Sequence, residues 1–341
     1  MSFVFCFFRG VPFFCCKGRL PCNPVFKDSP MKGLELARAY YEVCAPLLQE
    51  RIPDVMAQAA VGLVGEGSEC FGCDDDISRD HDWGPAFCLW VPRAVGVAAL
   101  PRIEEAFAAL PAAFEGFPSR MDKTRRMGRV GPLSIEKFYG FFLGTETMPA
   151  TWQDWLAIPE YNLAACTNGA VFVDALGEFS RRRALLLDYY PQDVHLQKLA
   201  SCCMRMAQAG QYNLPRCLAR GEAGAAMLAA ARFGEAALSM VYLLNRRYMP
   251  FYKWAVRLAA DLPVLGAEVA ALLTALAAHP LRGPEDADVA EPVEAFCAQV
   301  ARILQQRGYS PLDEPWLWAH GPHILRHVQN EELRRRDLLK G

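Results

Sequence analysis

Apolar residues recur at helical spacing from Gly33 to Arg51, through Leu34, Leu36, Ala39, Tyr40, Val43, Leu47 and Leu48, and Pro53 closes that helix. A short apolar run from Val61 to Val64 reads as a strand, and a second, Trp83 to Val91, reads as another. Helical patterns follow over Pro101–Phe114, Glu136–Leu143 and Trp152–Cys166. Further strands are expected at Arg129–Ile135, weakened by Gly131 and Pro132, and at Gly169–Asp174 after the Asn168-Gly169 turn. Strands alternating with helices predict an α/β unit over residues 31–175. From Leu176 the period is helical throughout, over 176–189, 192–209, 214–246, 251–260, 264–279, 289–308 and 320–338, with a break at Gly210 and others at prolines. Residues 281–287 read as an exposed linker. The predicted fold class is α+β, a small mixed sheet with its helices followed by an all-α bundle over 176–341.

Residues 1–30 do not fit this scheme. They hold seven phenylalanines and four cysteines with no helical or strand period, and Arg9 and Lys17 interrupt any signal-peptide core. Met31 opens the first clean amphipathic helix. The expectation is that residues 1–30 are a disordered leader or an extension ahead of the working start at Met31, so N-terminal sequencing of the native protein should find that residue first.

A net charge of −2 over 341 residues gives no global bias toward nucleic acid or membrane. Basic residues cluster at Arg120–Arg129 and at Arg181-Arg182-Arg183, which read as solvated faces or, for the first, as RNA contacts. Thirteen scattered cysteines, an odd number, indicate reduced thiols and a cytoplasmic protein. No stretch reaches the roughly 18 consecutive apolar residues of a membrane helix, so no membrane partner is expected.

The chemistry concentrates between Gly65 and Trp83, in the string GEGSECFGCDDDISRDHDW. Its glycines let backbone N–H groups approach an anion, and Ser68 adds a hydroxyl. Asp80 and Asp82, read as entering the second strand, would share one face while His81 points the other way. Two carboxylates on one face suit a hard divalent cation. A phosphate cradle ahead of paired carboxylates describes metal-assisted phosphoryl or nucleotidyl chemistry. Cys70 and Cys73 form a C-x-x-C without a second ligand pair, better explained as small thiols in a loop than as zinc ligands.

Gly67-Ser68, Gly72, Ser78, Asp80 and Asp82 resemble the glycine-serine then Asp-x-Asp signature of the DNA polymerase β-like nucleotidyltransferase superfamily. The longer string, with Gly210–Asn213, Leu244–Tyr248 and Lys253-Trp254, is similar to a bacterial family of unknown function within it. The resemblance runs from about Met31 to beyond residue 260. It implies transfer of a nucleoside monophosphate, AMP from ATP, to a hydroxyl acceptor on a small molecule, protein or RNA. Asp80 and Asp82 would hold Mg2+, and Gly67 and Ser68 the β- and γ-phosphates. Gly72 belongs to the same turn, and Arg79 would reach a phosphate or pair with Asp75 or Asp76.

The superfamily's third carboxylate has no clear counterpart, since Arg129–Ser134 holds no acid. Glu136 is the candidate, with Asp122 and Asp174 as alternatives. Lys253 would bind the triphosphate from the helical half by analogy, assisted by Arg246 or Tyr252, with Tyr212 and Asn213 nearby. The other reading of Lys253 is interdomain packing, and that of His320, His323 and His327 is partner-facing or capping. The alternative to an enzyme is a non-catalytic nucleotide-binding or protein-interaction module on the same fold.

Overall fold

The computed structural model describes residues 31–80 and 82–339, Asp80 by its backbone alone. The leader 1–30 and His81 lie outside the described residues. Helix α1, Gly33–Arg51, buries Leu36, Tyr40 and Leu48 of the expected apolar face together with Tyr41 and Cys44, whereas Val43 is exposed and Leu34, Ala39 and Leu47 are half-buried. Pro53 sits at the first turn of a further short helix, Pro53–Met56, where its missing N–H costs nothing. The sheet has four strands: β1 Ala60–Leu63, β2 Cys88–Val91, β3 Gly131–Ser134 and β4 Ala170–Asp174. Their spatial order is β3-β2-β1-β4, antiparallel around β1 and parallel between β2 and β3. The sheet is therefore mixed, and its two central strands are wholly buried.

Two local expectations are corrected, and a third is met. The second strand begins at Cys88, not Trp83. Gly84 has φ +138°, and Trp83 turns away to pack with Leu36 and Phe117 in a separate small cluster. The following helix, α2, is Arg93–Ala108, eight residues earlier than its predicted start, and it carries Pro101 inside it beside the exposed Leu100. Gly131 and Pro132 do form a strand, because β3 is the sheet edge, where a missing N–H is tolerated. Ser134 then caps helix α3, Ile135–Leu143, by accepting from the Lys137 N–H.

Among the described residues, only helices and their connections follow β4. Helix α4, Gln192–Met206, packs against α5, Ala223–Leu244, and against a later helix, Leu317–Leu325. Gly210 does not break the chain as expected. Residues Ala207–Asn213 widen into a π turn, and a Cβ at Gly210 would overlap the Phe233 ring. Helix α6, Tyr252–Ala259, and helix α7, Gly266–Ala278, complete the part that matters for the site. The expected linker at 281–287 is not exposed throughout. Leu281 and Asp286 are buried, and a short 3-10 helix runs over Pro284–Val289.

One connected set of buried side chains runs from Ala37 to Leu338 through both halves. Its aromatic centre is Trp90, fully buried and stacked on Phe179 at 4.0 Å between ring centroids. Gly62 opposite leaves room for that indole and for the Ala170 carbonyl across the sheet. Among the described residues one helix, α5, is long and apolar enough to cross a membrane, and 72% of its apolar window is buried inside the protein. The described cysteines are all free, and all but Cys217 are buried.

His195 is buried on α4 beside Tyr189 and Tyr309, and desolvation, reinforced by Arg246, Arg307 and Lys198, pushes its pKa down to about 4. The unfolded chain takes up this proton near pH 6.5 and the folded chain only near 4, so stability is full above 6.5 and falls as pH drops through that window. The unfolding free energy of the wild type relative to His195→Gln should shrink by about 3 kcal/mol from pH 7 to pH 4 in urea titrations. A constant difference across that range would contradict this account.

Candidate functional site

Between β1 and β2 the chain makes two short 3-10 turns, Ser68–Phe71 and Ser78–Asp80. The first is set by Gly65 at φ +151° and by Asn168, whose side chain accepts from the Gly65 N–H at 3.0 Å and donates to its carbonyl at 2.7 Å. Arg183 in turn donates to the Asn168 carbonyl at 3.0 Å, so part of the arginine knot positions this turn. Beneath it, Glu69 and Arg120 form a buried ion pair at 3.2 Å. Burial pushes the Glu69 carboxyl up, and the Arg120 guanidinium opposes that shift. The Gly67 N–H is engaged by the Cys70 thiol and the Glu69 N–H by its own carboxylate, which leaves the N–H and hydroxyl of Ser68 without a partner among the described residues.

The three consecutive aspartates separate by role. Asp74 is buried and accepts from the Gly33 N–H at 2.8 Å and the Trp83 indole N–H at 3.2 Å, which fixes α1 to the loop. Asp76 pairs with Arg79 at 3.2 Å. Asp75 accepts from both the N–H and the hydroxyl of Ser78, at 3.0 and 2.8 Å, and these bonds hold its carboxyl below the usual carboxylate range.

The helical half closes the site. Arg257 on α6 donates to the Cys73 carbonyl at 3.1 Å and lies 3.8 Å from Asp75, while the Tyr242 hydroxyl on α5 donates to the Ala255 carbonyl behind it at 2.8 Å. The result is a cleft of about 430 Å³ in which Gly67, Ser68, Asp75 and Asp82 meet Arg129 and Lys253. Trp254 lines it too, with the Lys253 ammonium 4.9 Å from its ring centroid.

The expected strand placement of the acid pair is overturned. Asp80 ends the second 3-10 turn, and Asp82 lies in a bend with φ +53°, six residues before β2. No alternation of faces therefore relates them. Asp82 is nonetheless in the cleft, bound to Arg129 at 2.8 Å. The other assignments scatter. Gly72 adopts φ +67° and donates its N–H to the Ser68 and Glu69 carbonyls, so it shapes the turn and does not line the cleft. Arg79 also lies outside the cleft lining, with its guanidinium 5.0 Å from the Trp83 ring centroid. Glu136 sits at the start of α3 and accepts from the Arg93 N–H at 3.1 and 3.2 Å, capping α2 away from the cleft. Arg246 leans over Tyr189, Tyr212 lies under Arg216, and Tyr252 is exposed, so none of these lines the cleft.

The basic loop is largely structural. Arg126 is buried against Glu104 and Phe107, and Arg125 donates to the Ser119 carbonyl at 2.9 Å. Cys70 is buried and its thiol is raised well above its ordinary range by desolvation, and the same cause pushes Cys88 up to about 12. Arg129, Asp75 and Trp254 line the cleft without having been assigned a role there from sequence, and Asn168, likewise unassigned, holds the Gly65 turn from outside the lining. Only Asp75 carried a legible signal, the Asp-x-x-Ser spacing of a reciprocal cap.

A bound magnesium needs hard oxygen donors. Asp75 and Asp82 are such donors on the cleft wall, and the Arg129 guanidinium already stands as a cation against Asp82. Among the described residues no three His, Cys, Asp or Glu side chains converge on one point. The donor chemistry fits the ion, with the Asp80 carboxylate outside the described atoms.

Residues 155–255 match a family described as Domain of unknown function (DUF4037). The matched segment contains Asn168, Arg183, Lys253 and Trp254 but stops short of the Gly65–Trp83 stretch. No curated protein and no solved structure matches the chain.

Replacing Arg120 with Met would leave Glu69 buried without its counter-charge, at a cost of about 3–5 kcal/mol. Urea unfolding measures this, and a loss below about 1 kcal/mol would show that the pair does not hold the turn.

Proposed function

We propose that the cleft binds a nucleoside triphosphate with magnesium and that the chain transfers a nucleotidyl group, AMP from ATP, to a hydroxyl acceptor. One observation carries the reading: the Gly67-Ser68 turn, Asp82 and Lys253, from three separate segments, line the same cavity. Its size lies within the roughly 300–1,000 Å³ of ligand pockets. The open N–H and hydroxyl of Ser68 suit phosphate oxygens, and Lys253 supplies a point charge opposite them. Trp254 and the exposed Ile77 offer apolar surface for a base. Asp82, with Asp80 two residues before it, is assigned to the metal. Asp75, held ionised by Ser78, is assigned the additional carboxylate in place of Glu136. Magnesium bound there would neutralise the triphosphate and lower the pKa of the acceptor hydroxyl.

A second reading has its own support. Asp82 is engaged by Arg129, as in a module that keeps a nucleotide in place without transferring it. Calorimetry with ATP and Mg2+, followed by labelling of a cell lysate with α-labelled ATP, separates the two. Transfer of label supports the enzyme, and binding without transfer supports the module. No binding at millimolar nucleotide would overturn both.

Lys253→Ala should weaken Mg·ATP binding about tenfold, as expected for a lost charge-assisted contact. Asp82→Asn should abolish labelling while leaving the fold intact. Asn is the cleaner replacement, because φ +53° disfavours Ala there. Transfer by the Asp82→Asn variant at the parent rate would sink the assignment.

A further inference from the structure

Two hollows in the helical half adjoin. Between α5, α6 and α7 runs a groove of about 1030 Å³, walled mainly by apolar side chains including Met227, Leu238, Phe251, Val256 and Leu276. Beside it, against α4, lies a polar cavity of about 230 Å³. Tyr161, Glu235 and Met249 line both, so the two form one continuous depression with an apolar trough and a charged end.

The charged end carries Lys198, Arg205 and Arg336 against Glu160 and Glu235. Lys198 is bound to Glu160 at 3.4 Å, whereas Arg336 is exposed and has no ion-pair partner among the described residues. Gln197 lines the same cavity, and the Arg205 Nε is buried there without a hydrogen-bond partner among the described residues. A buried guanidinium N–H without a partner is costly unless something polar meets it. The trough leaves large apolar surface in water: Met227 is 58% exposed and Tyr252 76%.

We propose that this depression binds a free long-chain carboxylate, with its alkyl chain in the trough and its head at Gln197, Arg205 and Arg336. Charge complementarity selects an anionic head, since cations exceed carboxylates at that end. The trough selects an alkyl chain over an extended peptide. Its ionisable groups besides tyrosines are Glu235 and His279, and His279 already pairs with Asp288 at 3.2 Å. Peptide amides laid there would lose their hydrogen bonds, whereas methylenes need none. The site is separate from the nucleotide cleft, although α6 lies between them, with Lys253 and Trp254 on the cleft and Ala255 and Val256 on the trough.

The test is calorimetry on the full chain with oleate below its micelle concentration, with oleyl alcohol and shorter saturated carboxylates for comparison. Saturable one-to-one binding is expected, strengthening by about fourfold for each added methylene. Arg336→Glu should weaken oleate at least about tenfold and leave the alcohol unchanged, by loss of a charge-assisted contact. Ala231→Trp and Ala277→Trp, which fill the trough from exposed positions, should weaken both ligands. Circular dichroism melts check that each variant is folded. The proposal is overturned if oleate shows no saturable binding, if the alcohol binds as tightly as the acid, or if the folded variants bind like the parent.

Discussion

The contact between Arg257 and the Cys73 carbonyl, backed by Asp75, is the joint on which the site depends. A glycine-serine turn alone is a surface loop with an open N–H and hydroxyl at Ser68. It becomes one wall of a cleft only because α6 lies across it and carries Lys253 and Trp254 to the other side. The helix is held from behind as well, through the Tyr242 hydroxyl on α5. Both halves of the chain therefore contribute to one cavity, and the connected core beneath them leaves no slack layer between sheet and bundle.

Within the cleft most charges are already answered. Glu69 has Arg120, Asp82 has Arg129, and Asp75 has Ser78 and the more distant Arg257. Such pairing keeps opposite charges close while no ligand is bound, and it sets the order in which a ligand must compete. An anion meets Lys253 and the N–H and hydroxyl of Ser68 without breaking anything. A cation at Asp82 must first displace a guanidinium bonded at 2.8 Å. Under the function proposed above, metal and triphosphate would arrive together, the phosphates taking up Arg129 as the cation takes up Asp82.

Much of this was legible in the residues where local chemistry and tertiary packing agree. The existence of α1, of the four strands and of the helical run after Asp174 follows from apolar period and turn residues, and Lys253 after its proline break does reach the cleft. The failures have specific physical causes. The reading of Trp83–Val91 as one strand missed that Trp83 packs into its own cluster and that Gly84-Pro85 bends the backbone, so face alternation never applied to the acids. Pro101 read as a helix start and Gly210 as a break, yet one lies within a helix beside exposed Leu100 and the other is accommodated by a π turn against Phe233. Glu136 could not be told from a catalytic acid by sequence, because its role is set by the Arg93 N–H it caps, 43 positions earlier in the chain. The amphiphile trough was invisible for the same reason, being made by three helices whose apolar faces look like ordinary core.

Hydrogen exchange followed by mass spectrometry, with and without magnesium and a non-hydrolysable ATP analogue, tests the central claim most directly. The account predicts slowed exchange in residues 65–72 and 252–258 together, with 317–325 unaffected. Protection of only one of the two segments, or of neither, would contradict it.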